Sequence, residues 1–335
     1  MEKTDIQENN LLQIEDLHIH YMSEGREIHA VNGVTLHVNE GETIGLVGET
    51  GAGKTTLALS IMKLIQKPAG RYAGGRILFG GEDLLSASEN RMHHIRGNQI
   101  AMIFQDPMTS LNPVYTVGDQ IAEVIALHGH MHAKQALERA GDTLEMVGIP
   151  RERANEYPHQ FSGGMKQRVC IAMALAANPQ LIIADEPTTA LDVTIQAQVL
   201  DLMGKLKREL NTAMILITHD LGIVSEVCDK VAIMYAGRIL EFGTLEDIYL
   251  HPTHPYTLGL FNSIPKLDQK ISRLTPIKGL MPDPANLPEG CAFAPRCDYA
   301  CPACTKTCPP GEAISPTHTV ACLRHRELAS EAGRN

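Results

Sequence analysis

The stretch Ile44-Gly45-Leu46-Val47-Gly48-Glu49-Thr50-Gly51-Ala52-Gly53-Lys54-Thr55-Thr56 constrains this chain more than any other. Ile44, Leu46 and Val47 read as a short buried strand. Leu57, Ile61, Leu64 and Ile65 are spaced for one buried face of a following helix. Between them, Gly48 to Thr55 fits G-x-x-x-x-G-K-[ST], whose glycines allow positive φ and turn backbone N–H groups onto a phosphate chain. The helix that follows adds the positive end of its dipole at the same place. Lys54 is expected to reach the β- and γ-phosphates and the Thr55 hydroxyl to ligate Mg²⁺. Gly48, Glu49, Thr50, Gly51, Ala52, Gly53 and Thr56 make up the rest of the cradle.

Composition narrows the possibilities. Aromatics are 4% of residues and Trp is absent, which argues against aromatic platforms for stacking bases. A formal net charge of −10 argues against a non-specific nucleic-acid binder. Met1 to Asn10 is polar, lacks the apolar core of a signal peptide and reads as a loose tail. No apolar run approaches the length of a bilayer span, so the chain is expected to be soluble and cytoplasmic.

Along the chain, Leu17, Ile19 and Tyr21 alternate with His18 and His20, and Val34, Leu36 and Val38 repeat the pattern. Arg76 to Phe79 reads as a strand ending at the hairpin turn Gly80-Gly81. These strands predict an antiparallel β layer joined to the nucleotide-binding unit. Ile100 to Phe104 is a compact strand. From Val117 to Gly148 the period turns helical, with Ile121, Val124, Ile125 and Leu127, then Ala136, Leu137, Leu144, Met146 and Val147. Strands at 181–184, 214–217 and 231–234 alternate with helices at 195–210 and 221–227, which predicts a mostly parallel sheet covered on both faces. There is one phosphate loop and no internal repeat, so one nucleotide-binding unit is expected.

Two carboxylates, Asp185 and Glu186, follow the apolar run Leu181 to Ala184. Within a strand their side chains would oppose each other, but where the chain leaves extended geometry both can turn toward one site. Asp185 would then hold Mg²⁺ through its water shell, and Glu186 would polarise the water that attacks the γ-phosphate. The bland alternative is an exposed acidic turn. Ser162-Gly163-Gly164 precedes an apolar helix, a plausible N-cap and a second anion-binding helix start some 110 residues after the first. One nucleotide cannot readily use both termini of a single chain, so a second protomer is the economical explanation. Gln105 and His219 each follow a strand, where residues of a parallel sheet face the ligand crevice.

These motifs together resemble the nucleotide-binding subunit of an ABC transporter. The phosphate loop is Gly48–Thr55, the glutamine loop centres on Gln105, and the signature is Phe161-Ser162-Gly163-Gly164-Met165. The carboxylates are Asp185 and Glu186, the D-loop is Ala190-Leu191-Asp192, and the switch histidine is His219. Tyr21 matches the aromatic that stacks on adenine in this family. Phe161 and Met165 depart from the commonest signature, while Ser162 and both glycines are intact. The resemblance implies an α/β P-loop NTPase of ABC type, with an antiparallel β subdomain and an inserted helical subdomain at about 106–178. It also implies that ATP and Mg²⁺ bind, with Gln105 among the Mg²⁺ contacts. Met108-Thr109-Ser110-Leu111-Asn112-Pro113 and His254-Pro255-Tyr256-Thr257 resemble the dipeptide/oligopeptide importers, some of whose relatives carry nickel or oligosaccharides. In that group two different ATPase chains pair beneath two membrane permease subunits, on the cytoplasmic face, and an external binding protein delivers substrate. The rival class is an ABC-type ATPase acting on nucleic acid. No coiled coil, inserted zinc module or second head is visible to support it.

A compositional boundary falls near residues 251–255, dividing a nucleotide-binding domain (11–255) from a Cys- and Pro-rich extension (256–335). The extension holds six of the eight Cys and ten of the nineteen Pro, and its 9 Lys+Arg against 7 Asp+Glu leave −12 on residues 1–255. A segment this short and proline-rich is expected to be held by something other than a core. Three chemistries compete for Cys291, Cys297, Cys301, Cys304, Cys308 and Cys322. Disulfides suit an oxidising compartment. Zn²⁺ prefers paired C-x2-C knuckles, of which Cys301/Cys304 is the single example. Cys301 to Pro309 echoes part of a ferredoxin run. The family resemblance implies a [4Fe–4S] cluster on a C-x5-C-x6-C…C frame, which falls on Cys291, Cys297, Cys304 and Cys322. Cys170 and Cys228, within apolar helical stretches, read as core residues.

Overall fold

A computed structural model of the chain describes residues 10–129, 131–189, 191–263 and 276–332. The expected loose tail therefore lies, apart from Asn10, outside the described residues, as does Ala190 of the D-loop. In chain order the strands are β1 (Asn10–Ser23), β2 (Arg26–Asn39), β3 (Thr43–Val47), β4 (Gly70–Phe79), β5 (Glu82–Asp83) and β6 (Ile100–Ile103). They continue with β7 (Leu181–Asp185), β8 (Ala213–Thr218), β9 (Lys230–Tyr235), β10 (Arg238–Thr244), β11 (Glu312–Ala313) and β12 (Thr319–Val320).

Two sheets result. The smaller is antiparallel in the order β2-β1-β4-β5. Its β1 buries Leu12, Ile14, Leu17 and Ile19, and the alternation slips by one residue at a bulge where Asp16 takes a positive φ. The larger sheet is parallel through β9-β3-β8-β7-β6, and β10 then pairs antiparallel with β9. All five residues of β3 are buried, as a strand covered on both faces requires. One core lies between the two sheets around the helix Lys54–Ile61. A second lies on the other face, reaching into the helices Val117–Gly129, Ala133–Met146 and Gly163–Leu175. The α/β architecture with an antiparallel layer and an inserted helical subdomain is as expected.

Some particulars differ from the periodic reading. The helix after the loop stops at Ile61, and Lys63 takes a positive φ while its ammonium donates to the carbonyls of Leu85 (2.9 Å) and Ala87 (2.7 Å). Leu64 is consequently carried out of the core, although Ile65 stays buried. In the helical subdomain Ile121, Ile125, Ala136 and Leu144 face inward, whereas Leu127, Leu137 and Met146 are exposed. Those three fall on the outer side of helices whose inner stripe is already filled.

The extension joins the main body through the core as well as through its ends. Phe293 packs on Tyr235 and Tyr256, with ring centroids at 5.4 and 5.3 Å, and Ala292 and Phe293 belong to the second core. Burying such a ring contributes about 2–3 kcal/mol. β12 pairs with β10, matching Val320 to Glu241 and Thr319 to Phe242, so the extension covers the edge of the large sheet. The expectation of a tail held without a core is thus corrected in part: its aromatic anchor lies in the core of the nucleotide-binding body.

Candidate active site

The phosphate loop leaves β3 and is wedged between Ala30 and Met234. A Cβ on Gly48 would lie 2.1 Å from the Met234 carbonyl oxygen. One on Gly53, at φ 101°, would lie 2.3 Å from that of Ala30. Neither position tolerates a side chain. Lys54 begins the helix and is buried, its Nζ donating to the carbonyls of Gly48 (2.7 Å) and Glu49 (3.0 Å). Burial pushes its pKa down, opposed by the nearby carboxylates of Glu186, Asp185 and Glu49.

Asp185 ends β7 and is 3% exposed. Burial raises its pKa, the neighbouring Glu186 adds to the rise, and a hydrogen bond from Thr55 and the charge of Lys54 oppose it. Glu186 then takes φ 47°, the left-handed conformation in which a non-glycine residue is strained. That turn aims its carboxylate into the cleft, where Oε2 accepts from Gln105 Nε2 and Thr189 Oγ1, each at 2.9 Å. Oε1 lies 3.5 Å from His219 Nδ1. Gln105 and His219 are thus brought onto one carboxylate from the ends of β6 and β8.

A cleft of about 480 Å³ runs past Tyr21, Thr50, Lys54, Gln105, Glu186 and His219. Its volume suits a nucleotide-sized ligand. Tyr21, Ile28 and Ala30 line it together with the loop glycines Gly51 and Gly53. A buried ammonium facing three carboxylates fits a polyphosphate together with a divalent cation, for which Thr55, Asp185 and Gln105 are the candidate holders. Ser162, Gly163 and Gly164 do not line this cleft. Ser162 caps the helix Gly163–Leu175, accepting from Met165 N at 3.4 Å, and Asp192 caps the helix Val193–Leu210, accepting from Ile195 N at 3.0 Å.

Sequence reasoning did not find Thr189, nor the groups that reach the loop from beyond residue 250. The Tyr256 hydroxyl accepts from Glu49 N (3.0 Å), Arg296 Nη1 donates to Glu49 Oε2 (2.9 Å), and Pro284 lines the cleft. A polar residue three positions past Glu186, and an arginine beside a cysteine of the four-residue frame, were the available signals.

Cys291, Cys297, Cys304 and Cys322 line one small cavity of about 20 Å³. Burial raises the pKa of each of these four thiols, and neighbouring thiols add to it. Such a convergence of uncharged thiols fits a metal centre that would take them as thiolates. Among the described residues, His20, Glu27 and His29 alone bring three ligand atoms within 4.8 Å of one another. Among the described residues no three cysteine sulfur atoms lie within 4.8 Å of one another. Cys301 lies beside the frame, 3.5 Å from the Cys304 sulfur, while Cys308 lines a neighbouring groove that Cys291 also borders.

Residues 31–189 match the family "ABC transporter", and residues 240–304 match "Oligopeptide/dipeptide transporter, C-terminal region". The chain is 50% identical over 325 residues to the oligopeptide transport ATP-binding protein AppD of Bacillus subtilis, covering 96% of this chain and 99% of AppD. It is 48% identical over 324 residues to the dipeptide transport ATP-binding protein DppD of the same organism, covering 96% of this chain and 97% of DppD. Among solved structures it resembles the ATP-binding cassette MJ0796, a dimer in a post-hydrolysis state bound to ADP and Pi. The TM-score is 0.63 at 27% identity, over 70% of this chain and 98% of that one. It also resembles cbiO1 of Clostridium perfringens, with a TM-score of 0.62 at 28% identity, over 73% and 92%.

Proposed function

This chain belongs to the ABC transporter family as the ATP-binding subunit of a peptide importer, and from that premise we propose how its residues act. It is an ATPase coupled to transport, and relatives named for peptide transport leave the nucleic-acid alternative without support. The observation that carries the mechanism is the convergence of Gln105, Thr189 and His219 on the Glu186 carboxylate, across the cleft from Lys54. Glu186 polarises the attacking water, His219 and Gln105 hold that carboxylate and respond to the γ-phosphate, and Lys54 neutralises charge on the phosphates as it is transferred. Thr55, Asp185 and Gln105 would hold Mg²⁺, which would supply further neutralisation of the phosphate charge. Tyr21 stacks on the base.

Ser162, Gly163 and Gly164, set away from their own cleft, act on the nucleotide of a second, homologous ATPase subunit in a head-to-tail pair, with Asp192 at the same interface. ATP closes the pair and hydrolysis reopens it. Phe104, Met108, Val114 and Tyr115 are exposed around the glutamine loop, beside a cleft formed with Val124, His128 and Met173. An apolar patch of this kind suits the permease subunits, which would hold the chain at the cytoplasmic face of the membrane. Among the described residues no helix is long and apolar enough to cross a membrane. Delivery by an external binding protein would complete the importer.

Cys291, Cys297, Cys304 and Cys322 hold a [4Fe–4S] cluster, whose chemistry here is to tie the extension together. Three experiments test the reading. The tagged chain, purified from its source cell in mild detergent, should carry one different ATPase chain and two permease chains by quantitative mass spectrometry, and Lys54→Ala should abolish uptake of a labelled tripeptide. Pairing with itself alone would overturn the heterodimer, and undiminished uptake would overturn the role. An oxygen-free preparation should contain about four irons and four acid-labile sulfides per chain. Stoichiometric zinc without iron would sink the cluster.

A further inference from the structure

Glu49, the second residue of the phosphate loop, is gripped from outside the loop on two sides. Its N–H donates to the Tyr256 hydroxyl, and its carboxylate accepts from Arg296 at 2.9 Å, across 247 residues of chain. Arg296 is 6% exposed. Its Nε donates to the Lys278 carbonyl at 2.9 Å, its Nη1 reaches the Tyr235 hydroxyl at 3.3 Å, and its guanidinium carbon lies 5.7 Å from the Tyr235 ring. Burial works against the charge of the guanidinium, and the bonds to Glu49 and Tyr235 more than offset it. The fork is held at Nε and at Nη1.

We propose that Arg296 is a positioning residue for the nucleotide, through which the cysteine-rich extension sets the affinity of the phosphate loop. The proposal rests on the reading of Gly48–Thr55 as an ATP site. Two physical consequences of the pair carry it. The first is geometric: the Glu49 carbonyl accepts from Lys54 Nζ at 3.0 Å, so the residue that Arg296 holds also directs the lysine meant for the phosphates. The second is electrostatic. Lys54 already faces Asp185 and Glu186, and a third free carboxylate in the loop would repel a triphosphate. Arg296 removes that repulsion.

The arginine ends the short turn Ala294–Arg296, between Cys291 and Cys297 and next to the buried Phe293. Its place therefore depends on how the extension is held. The same extension runs along the cleft itself. The Met281 methyl carbon lies 2.9 Å from where a Cβ on Gly51 would stand, and the Pro284 carbonyl accepts from His29 N at 2.9 Å. Any disturbance that frees the extension moves both the arginine and this strap away from the loop.

The test is equilibrium binding of a fluorescent ATP analogue to the full-length chain. Arg296→Ala should raise Kd about tenfold or more, in the range of ordinary coupling between sites. The maximal hydrolysis rate of the assembled complex at saturating ATP should stay within about threefold of the unmodified chain. Adding Glu49→Gln to Arg296→Ala removes the unmatched carboxylate and should recover the electrostatic part of the loss, lowering Kd at least about threefold from that of Arg296→Ala, which a merely structural loss would not allow. Arg296→Met, which keeps an apolar stem against Tyr235, replaces the alanine variant if that one does not fold. A Kd within twofold of the unmodified chain in a folded variant would overturn the proposal, as would failure of Glu49→Gln to recover that threefold. If the unmodified chain itself binds no more ATP than its Lys54→Ala variant, the ATP-site reading fails instead.

Discussion

Replacing Phe293 by Ala should loosen the extension from the nucleotide-binding body, by an amount that follows from its contacts. The ring is 3% exposed and meets Tyr235 edge-on at 5.4 Å, Tyr256 at 5.3 Å and His254 at 5.9 Å. Truncating a buried phenylalanine costs about 3–5 kcal/mol, combining lost transfer free energy with the cavity left behind. The two tyrosines meet each other at 4.7 Å and brace one another along one flank of the ring, so collapse into the cavity is resisted and the cost should sit near the middle, about 4 kcal/mol. For a cooperative unit of this size each kcal/mol lowers the melting midpoint by about 2 °C, so a fall of about 8 °C is expected. The assay pairs differential scanning fluorimetry with limited trypsin digestion under anaerobic conditions, followed by mass mapping. The first new cleavages should fall beyond residue 276, while the phosphate-loop body stays intact. Phe293→Leu, which restores most of the volume, should lose about 1 kcal/mol, and Leu250→Ala, at a 68% exposed position, about 0.5 kcal/mol or less. A Phe293→Ala variant that melts within 2 °C of the parent, with an unchanged digestion pattern, would show that the extension does not depend on this core.

Three further outcomes follow from the site. Glu186→Gln should slow hydrolysis at this chain's site by about 10²–10⁴-fold while ATP affinity is kept, measured by single turnover with the partner's site inactivated; near-normal turnover would exclude Glu186 as the base. Ser162→Arg should leave nucleotide photocrosslinking at this chain's Lys54 site intact and reduce it at the partner's loop, and a loss confined to this chain would contradict the head-to-tail pair. Cys170 and Cys228, whose thiols burial pushes up to about 12, are protonated on both sides of neutrality and gain thiolate only as pH rises toward that value. At pH 8 about 1 in 10⁴ would be thiolate, so iodoacetamide should label them at least a hundredfold more slowly in the native chain than after denaturation; equal rates, read residue by residue by mass spectrometry, would place them outside the core.

The local sequence determined the parts of this protein whose information is short-range. The phosphate loop could be read because a buried strand, a glycine-spaced turn and a helix follow one another within 20 residues, and Asp185 and Glu186 because two acids directly follow four apolar residues. Period 2 in β1 and β2 and period 3.6 in the helical subdomain announced both layers, although not the bulge at Asp16, nor the stop at Lys63 that leaves Leu64 outside. What the sequence could propose but not demonstrate was the meeting of Gln105, Glu186 and His219. They belong to one site because the order β9-β3-β8-β7-β6 sets the ends of separate parallel strands side by side. For Thr189, Tyr256, Pro284 and Arg296 the local sequence gave at most a position, not a role at the loop. A pair such as Arg296 and Glu49 leaves no trace in periodicity or spacing, since its energy comes from a charge-assisted hydrogen bond between groups 247 residues apart, and that becomes possible only when the extension is folded onto the loop.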